Sequence, residues 1–162
     1  ADDPTLSSNY RPSSLLCVLS KVLERCIHNH LYQHLAPLIY DRQHGFVRGK
    51  STTTQLLEVY QDIMESVVSG EEVDAICLDL SKAFEKVPHD LLLQKLENSG
   101  ISGSLLSWYK SYLSDRRQRV VLHGVCSDWL PVTSGVPIGS ILGPLLFLVY
   151  CNDVQDYIQA HE

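Results

Sequence analysis

Leu78-Asp79-Leu80-Ser81-Lys82-Ala83-Phe84-Glu85 is the stretch on which the fold turns. The residues leading into it, 73–80 (VDAICLDL), form an apolar run of strand length and predict a buried strand. Such a strand delivers Asp79 at its C-terminal end, before a sharp turn toward Phe84. A carboxylate at a strand tip can hold a divalent ion rigidly against a substrate. An aspartate there can equally cap the turn that follows. Spacing alone leaves both readings open.

Around this stretch the chain alternates helical periodicity with turn signals. Leu15, Leu16, Leu19, Val22, Leu23, Cys26, Ile27 and Leu31 recur at helical spacing, and Pro37 ends that helix. Residues 41–51 read as a Gly- and Arg-containing loop or short strand pair. Residues 52–68 predict a helix with Leu56, Tyr60, Ile63 and Val67 on one face, capped by Ser51 or Thr52 and stopped at Gly70. Pro88 opens a third helix that runs to Asn98 and closes at Gly100. Residues 102–113 give a fourth. Two strands, 119–122 and 129–133, flank a turn at 123–128, and a last helix spans 140–157 with Pro144 near its start. Residues 2–9 read as a loose leader. No repeat or linker interrupts this order, which predicts one mixed α+β domain.

Composition is that of a globular chain: 162 residues, 44% hydrophobic, 20% charged. Its five cysteines are scattered, without a Cys-x-x-Cys pair, and read as small apolar residues of an intracellular protein. His28, His30 and His34 do not make a zinc face, because His28 and His30 point apart on a helix. The longest apolar stretch, 141–151, is broken by Gly143 and Pro144 and is too short to span a membrane. No signal-peptide pattern is read, so nucleus and cytoplasm are the expected compartments. The net charge of −6 argues against a nucleic-acid binder, but the charges segregate. Between Tyr10 and Ser51 the cations Arg11, Lys21, Arg25, Arg42, Arg48 and Lys50 face only Glu24 and Asp41. Arg116, Arg117 and Arg119 form a second basic cluster, and local patches matter more than the total for binding phosphate.

Two further runs carry chemistry. Ser134-Gly135-Val136-Pro137-Ile138-Gly139-Ser140 leads into an apolar helix and could place backbone N–H groups and bare glycine surface against a passing polymer. It could as well be an ordinary turn with a helix cap at Ser140. Gln43-His44-Gly45-Phe46-Val47-Arg48-Gly49-Lys50-Ser51-Thr52 suits phosphate, or is a solvated basic loop. It lacks the Gly-x-x-x-x-Gly-Lys spacing of a Walker loop.

In this order the runs resemble one family. Asn9-Tyr10-Arg11-Pro12 with Lys21-Val22-Leu23-Glu24 is similar to the first block of reverse transcriptases of non-LTR (LINE, jockey-like) retrotransposons. The 43–52 run is similar to the second block, and 78–87 resembles the metal-binding block Asp-x-Ser-Lys-Ala-Phe-Asp-x-Val. Residues 134–147 resemble Gly-Val-Pro-Gln-Gly-Ser-x-Leu-Gly-Pro-x-Leu-Phe. Trp108-Tyr109-Lys110-Ser111-Tyr112-Leu113 and Arg117-Gln118-Arg119-Val120 fit the jockey-like branch.

The resemblance implies a right-hand polymerase fold, with fingers at about 9–70 and palm at about 71–162, the palm carrying inserted finger helices. It implies RNA-directed DNA polymerase activity, with an RNA template, a DNA primer and dNTP as partners and two Mg2+ ions as cofactor. By the same resemblance Asp79 is the first carboxylate ligand and the Leu80 carbonyl a backbone ligand. Phe84 lies under the incoming sugar and excludes a 2′-hydroxyl. Arg11 and Lys21 reach the triphosphate. Gly45, Arg48 and Lys50 follow the template backbone, and Gly139 and Ser140 line the floor beneath the nascent base pair.

The chain departs from the family pattern at four points. Ile138 stands where glutamine is usual, Glu85 where aspartate is usual, and Ser13 where isoleucine is common. The family's aromatic-x-Asp-Asp turn, expected after the 134–147 block, does not occur before Glu162. The 162-residue chain is therefore expected to be inactive alone. A non-catalytic nucleic-acid-binding or structural relic of the same fold is the second reading.

Overall fold

The computed structural model describes residues 13–122 and 124–159. The leader and Arg11 lie outside the described residues. The chain forms two compact units, residues 39–81 and the flanking residues 13–38 with 82–159.

The larger unit is helical. Its elements are α1 (Val18–Leu35), α3 (His89–Asn98), α4 (Gly103–Leu113), α5 (Gly143–Cys151) and α6 (Val154–Gln159). Helix α1 starts later than the leucine periodicity predicts. Cys17 caps it, its Sγ accepting from the Ser20 amide at 3.4 Å, while the Ser14 amide is drawn across to the Ile138 carbonyl at 2.8 Å. At the other end the helix tightens into a 3-10 turn, Ala36–Leu38, where Pro37 has no N–H to continue the ladder. Helix α5 is apolar all round, the mark of a central helix. Its Leu145, Leu146, Leu148 and Val149 are buried with Leu92 and Leu96 of α3, Tyr109 and Leu113 of α4, and Leu31, Tyr32 and Leu35 of α1. Each such leucine contributes about 2 kcal/mol of burial.

The predicted single helix over 140–157 is divided. The Lys95 ammonium, from α3, donates to the Tyr150 carbonyl and to Asp153 Oδ1, each at 2.6 Å. That carbonyl is the acceptor a continuous helix would offer to residue 154, so α5 ends and α6 begins afresh.

The predicted strand pair is a ribbon of two short antiparallel ladders. Arg117–Gln118 (β1) pairs with Leu130–Pro131 (β4), and Val121–Leu122 (β2) pairs with Val125–Cys126 (β3). The register slips by one residue between the ladders, so the return arm carries one extra residue and the ribbon bends. Ser127 bridges the gap: its N–H donates to the Val120 carbonyl and its Oγ accepts from the Val120 amide, both at 2.9 Å.

The smaller unit is a turn-rich loop at 39–51, helix α2 (Thr52–Val68) and an extended tail. Ser51 caps α2 by a reciprocal exchange with Thr54, and the Ser69 turn and Gly70 stop it, as expected. The expected apolar face of α2 is present but no residue of the helix is buried.

The buried strand expected at 73–80 is not formed. These residues adopt no regular structure and are exposed, with Ile76 at 85% and Leu78 at 83%. A strand exists only through ladder bonds to a neighbour, and none pairs with this run among the described residues. Asp79 therefore does not sit at a strand tip.

Candidate active site

In the larger unit, the chain just beyond Asp79 meets the glycine-proline run. Residues 84–87 and 134–136 lie side by side. The Gly135 amide donates to the Val87 carbonyl and the Val136 amide to the Phe84 carbonyl, both at 2.8 Å, while Ser134 Oγ donates to the Glu85 carbonyl at 2.9 Å. An imidazole nitrogen of His89 closes on the Gly135 carbonyl at 2.9 Å. The glycines serve this seam. A Cβ on Gly135 would lie 2.7 Å from the Glu85 carbonyl oxygen, and φ is +89°. At Gly139 (φ +91°) a Cβ would press the Ser14 carbonyl at 3.1 Å. The close approach that glycine permits here is to the protein's own backbone.

Beyond Gly139, which is exposed, the chain turns into α5. Ser140 is buried, and its hydroxyl donates to the Pro137 carbonyl at 2.7 Å while accepting from the Gly143 amide at 2.8 Å. The side chain of Ser140 is thus committed to holding the turn.

Glu24 holds the same turn from α1. This carboxylate is 2% exposed; Oε2 accepts from the Ile141 amide and Oε1 from the Tyr112 hydroxyl, both at 2.8 Å. Burial first, and then the bond to Glu24, push the Tyr112 phenol well above the ordinary tyrosine range. Tyr109 is raised chiefly by burial, and its hydroxyl has no hydrogen-bond partner among the described residues. The family motifs assign Glu24 no role. The signal was there: the helical stripe that buries Leu31 and Leu35 passes through position 24.

Lys21 is exposed on α1. Phe84 is half-buried and stacks on Phe147, with centroids 4.4 Å apart and planes 18° apart, so it packs as a core aromatic whatever else it touches. It lies in a short 3-10 helix, Ala83–Lys86, entered through Lys82 in the left-handed region at φ 55° and ψ 41°.

The smaller unit holds Gly45, Arg48, Lys50, Asp79 and Leu80. Its basic loop is folded upon acids. Arg42 donates to Asp62 at 2.8 Å and lies 3.4 Å from Glu58, which holds its guanidinium charge even more firmly than usual. His44, the one buried polar residue of this unit, sits 3.4 Å from Glu58. Lys50 donates to the Asp41 backbone carbonyl. Arg48 is exposed. The Asp79 carboxylate is exposed and makes no hydrogen bond or ion pair among the described residues, so the turn-capping role open to it is not observed.

These pieces match a known family. Residues 2–161 match the reverse transcriptase (RNA-dependent DNA polymerase) family. The chain belongs to that family. It is 36% identical over 148 residues, 90% of its length, to the probable RNA-directed DNA polymerase from transposon BS of Drosophila melanogaster. It is 36% identical over 152 residues, 91% of its length, to the probable RNA-directed DNA polymerase from transposon X-element of the same species. It is 34% identical over 161 residues, 98% of its length, to the RNA-directed DNA polymerase from mobile element jockey, also of Drosophila melanogaster. The chain spans 16–18% of the length of these relatives. They bear out the resemblance to the jockey-like, non-LTR branch.

The Mg2+ pair implied for the family needs converging ligands. The described residues offer Asp79 alone on an unpaired segment, with no group of three potential ligand side chains. That set does not by itself fit a two-ion site. No helix among the described residues is long and apolar enough to cross a membrane.

Proposed function

We propose that this chain is the fingers-and-palm portion of an RNA-directed DNA polymerase of a transposable element. That enzyme adds dNTPs to a primer 3′-hydroxyl on an RNA template. The division at about residues 9–70 and 71–162 belongs to this proposal. The family match across residues 2–161 carries the reading. The hydrogen-bonded seam supports it, since it joins the segment after Asp79 to the glycine-proline turn. Asp79 supplies one carboxylate, and the Leu80 carbonyl one backbone oxygen, of a Mg2+ site whose other ligands come from elsewhere in the parent protein. Arg11 and Lys21 serve the triphosphate, and Phe84 the sugar. Gly45, Arg48 and Lys50 serve the template backbone. Gly139 offers bare backbone at the floor, and Ser140, its hydroxyl already engaged, acts by fixing that floor.

A second reading is favoured by Ile138, which puts an apolar side chain where the family has an amide. In it the chain is a non-catalytic nucleic-acid-binding or structural relic of the same fold. One experiment separates the two. The jockey polymerase is rebuilt with this chain in place of its own matching segment, and RNA-templated dNTP incorporation is measured. Incorporation that vanishes with Asp79→Ala, and returns in part with Ile138→Gln if activity is low, supports the polymerase. A chimera inactive in both forms, or indifferent to Asp79→Ala, overturns it. The 162-residue chain alone is expected to incorporate nothing with any divalent ion.

A further inference from the structure

The site just described makes no use of the second basic cluster. Arg116, Arg117 and Arg119 lie on or beside the exposed ribbon, and none has a carboxylate partner among the described residues. Two of the three turn to aromatic rings instead. The Arg119 guanidinium lies 4.7 Å from the centroid of Trp129, a residue 49% exposed, and Arg116 leans over Tyr112 at 6.0 Å. The pairing of Gln118 with Leu130 places Arg119 opposite Trp129, and strand alternation puts Arg117 on that same face. Asp115 and Asp128 are the nearest acids along the chain. Asp115 sits in a left-handed turn (φ 54°) and Asp128 follows Ser127 where the register slips, and neither pairs with an arginine.

We propose that this face of the ribbon is a contact site for single-stranded nucleic acid, with Trp129 stacking a base and Arg117 and Arg119 holding the adjoining phosphates. The class of ligand rests on the polymerase reading; the location does not. An exposed indole with the Arg119 guanidinium 4.7 Å from its centroid, and Arg117 on the same strand face, provides a stacking surface beside two cations. A base reaches such a surface only when it is not paired, so a duplex, whose rings are stacked on each other, is the poorer ligand. Arginine suits the task better than lysine, since its planar head stacks and forks to phosphate at once. A chain of net charge −6 repels polyanions everywhere except at such islands.

The test uses the 162-residue chain carrying Trp108→Phe, so that Trp129 is its sole indole. Single-stranded oligo(U), oligo(dT) and a duplex, each roughly twelve nucleotides long, are titrated at several salt concentrations. Both single strands should quench Trp129 emission and bind more tightly than the duplex. Arg117→Gln with Arg119→Gln should weaken binding on the order of tenfold and flatten the log–log salt slope by about 1.4, two contacts at 0.7 each for a single strand. Trp129→Leu, followed by fluorescence anisotropy of labelled oligonucleotide, should weaken binding to a similar extent and leave the slope alone, while Trp129→Phe should restore it. Binding unchanged in both the arginine pair and Trp129→Leu, a duplex bound as tightly as the single strands, or no binding at low salt overturns the ribbon site. The polymerase reading stands or falls separately, on the activity of the chimera.

Discussion

Helix α5 and helix α2 are both amphipathic or apolar by sequence, and they meet opposite fates. Helix α5 is enclosed by α1 and α3, and nearly every side chain it carries is at least half-buried. Helix α2 has a well-formed capping box at its start and a continuous apolar face, yet Leu56 remains 69% exposed and Tyr60 62%. The unit around α2 is held by Arg42, His44, Glu58 and Asp62, mostly at the surface, where an ion pair is worth under about 1 kcal/mol. Caps and periodicity are enough to make a helix. What they cannot supply is a core.

The contrast can be broken most directly in the core. Leu146→Ala in α5 should cost about 2–5 kcal/mol, whereas Leu56→Ala in α2 should stay within about 0.5 kcal/mol. Paired chemical-denaturation curves decide this. Equal losses would mean that α2 is covered in solution.

The next effect concerns Glu24. Glu24→Ala leaves the part-buried Ile141 amide and Tyr112 hydroxyl without their acceptor, at up to about 1–3 kcal/mol each. Faster amide exchange at Ile141 with α2 unchanged is the expected signature. An effect spread evenly over both units would show that Glu24 does not act locally.

The smallest effect is at Tyr109. Its folded pKa is raised above the unfolded value near 10, so the unfolded chain loses that proton first as pH climbs. The stability it contributes is complete below pH 10 and declines above it. Tyr109→Phe, which also removes a buried hydroxyl lacking a partner among the described residues, should leave stability at pH 7 equal or higher and move the alkaline unfolding midpoint upward. A midpoint that stays put would place the alkaline sensitivity elsewhere.

How much was legible follows the reach of the interactions. Helices α2 and α3 were readable to within a residue because Ser51, Pro88 and Gly100 bound them by local chemistry, and α4 begins one residue after Ser102, which makes no side-chain cap. The division between α5 and α6 was not, since Lys95 imposes it from a different helix. Residues 73–80 have the composition of a strand, which states what the segment would bury but not whether a neighbour exists. The family blocks were legible as ordered motifs, and Asp79 and the glycine run stood out in them. The helical stripe through Glu24 was legible but its role was not, because its two partners lie 88 and 117 residues away.

One detail of the glycine-proline turn has a consequence for substitution within it. The fold engages Ile138 through its carbonyl, which accepts from the Ser14 amide, while the flanking Gly135 and Gly139 are fixed by sterics. Every residue type carries that carbonyl. The scaffold is therefore strict at the two glycines, whereas the hydrogen bond it makes at position 138 does not depend on the side chain there. A substitution at 138 can leave that backbone bond in place, so an intact seam says little about which side chain stands at this position.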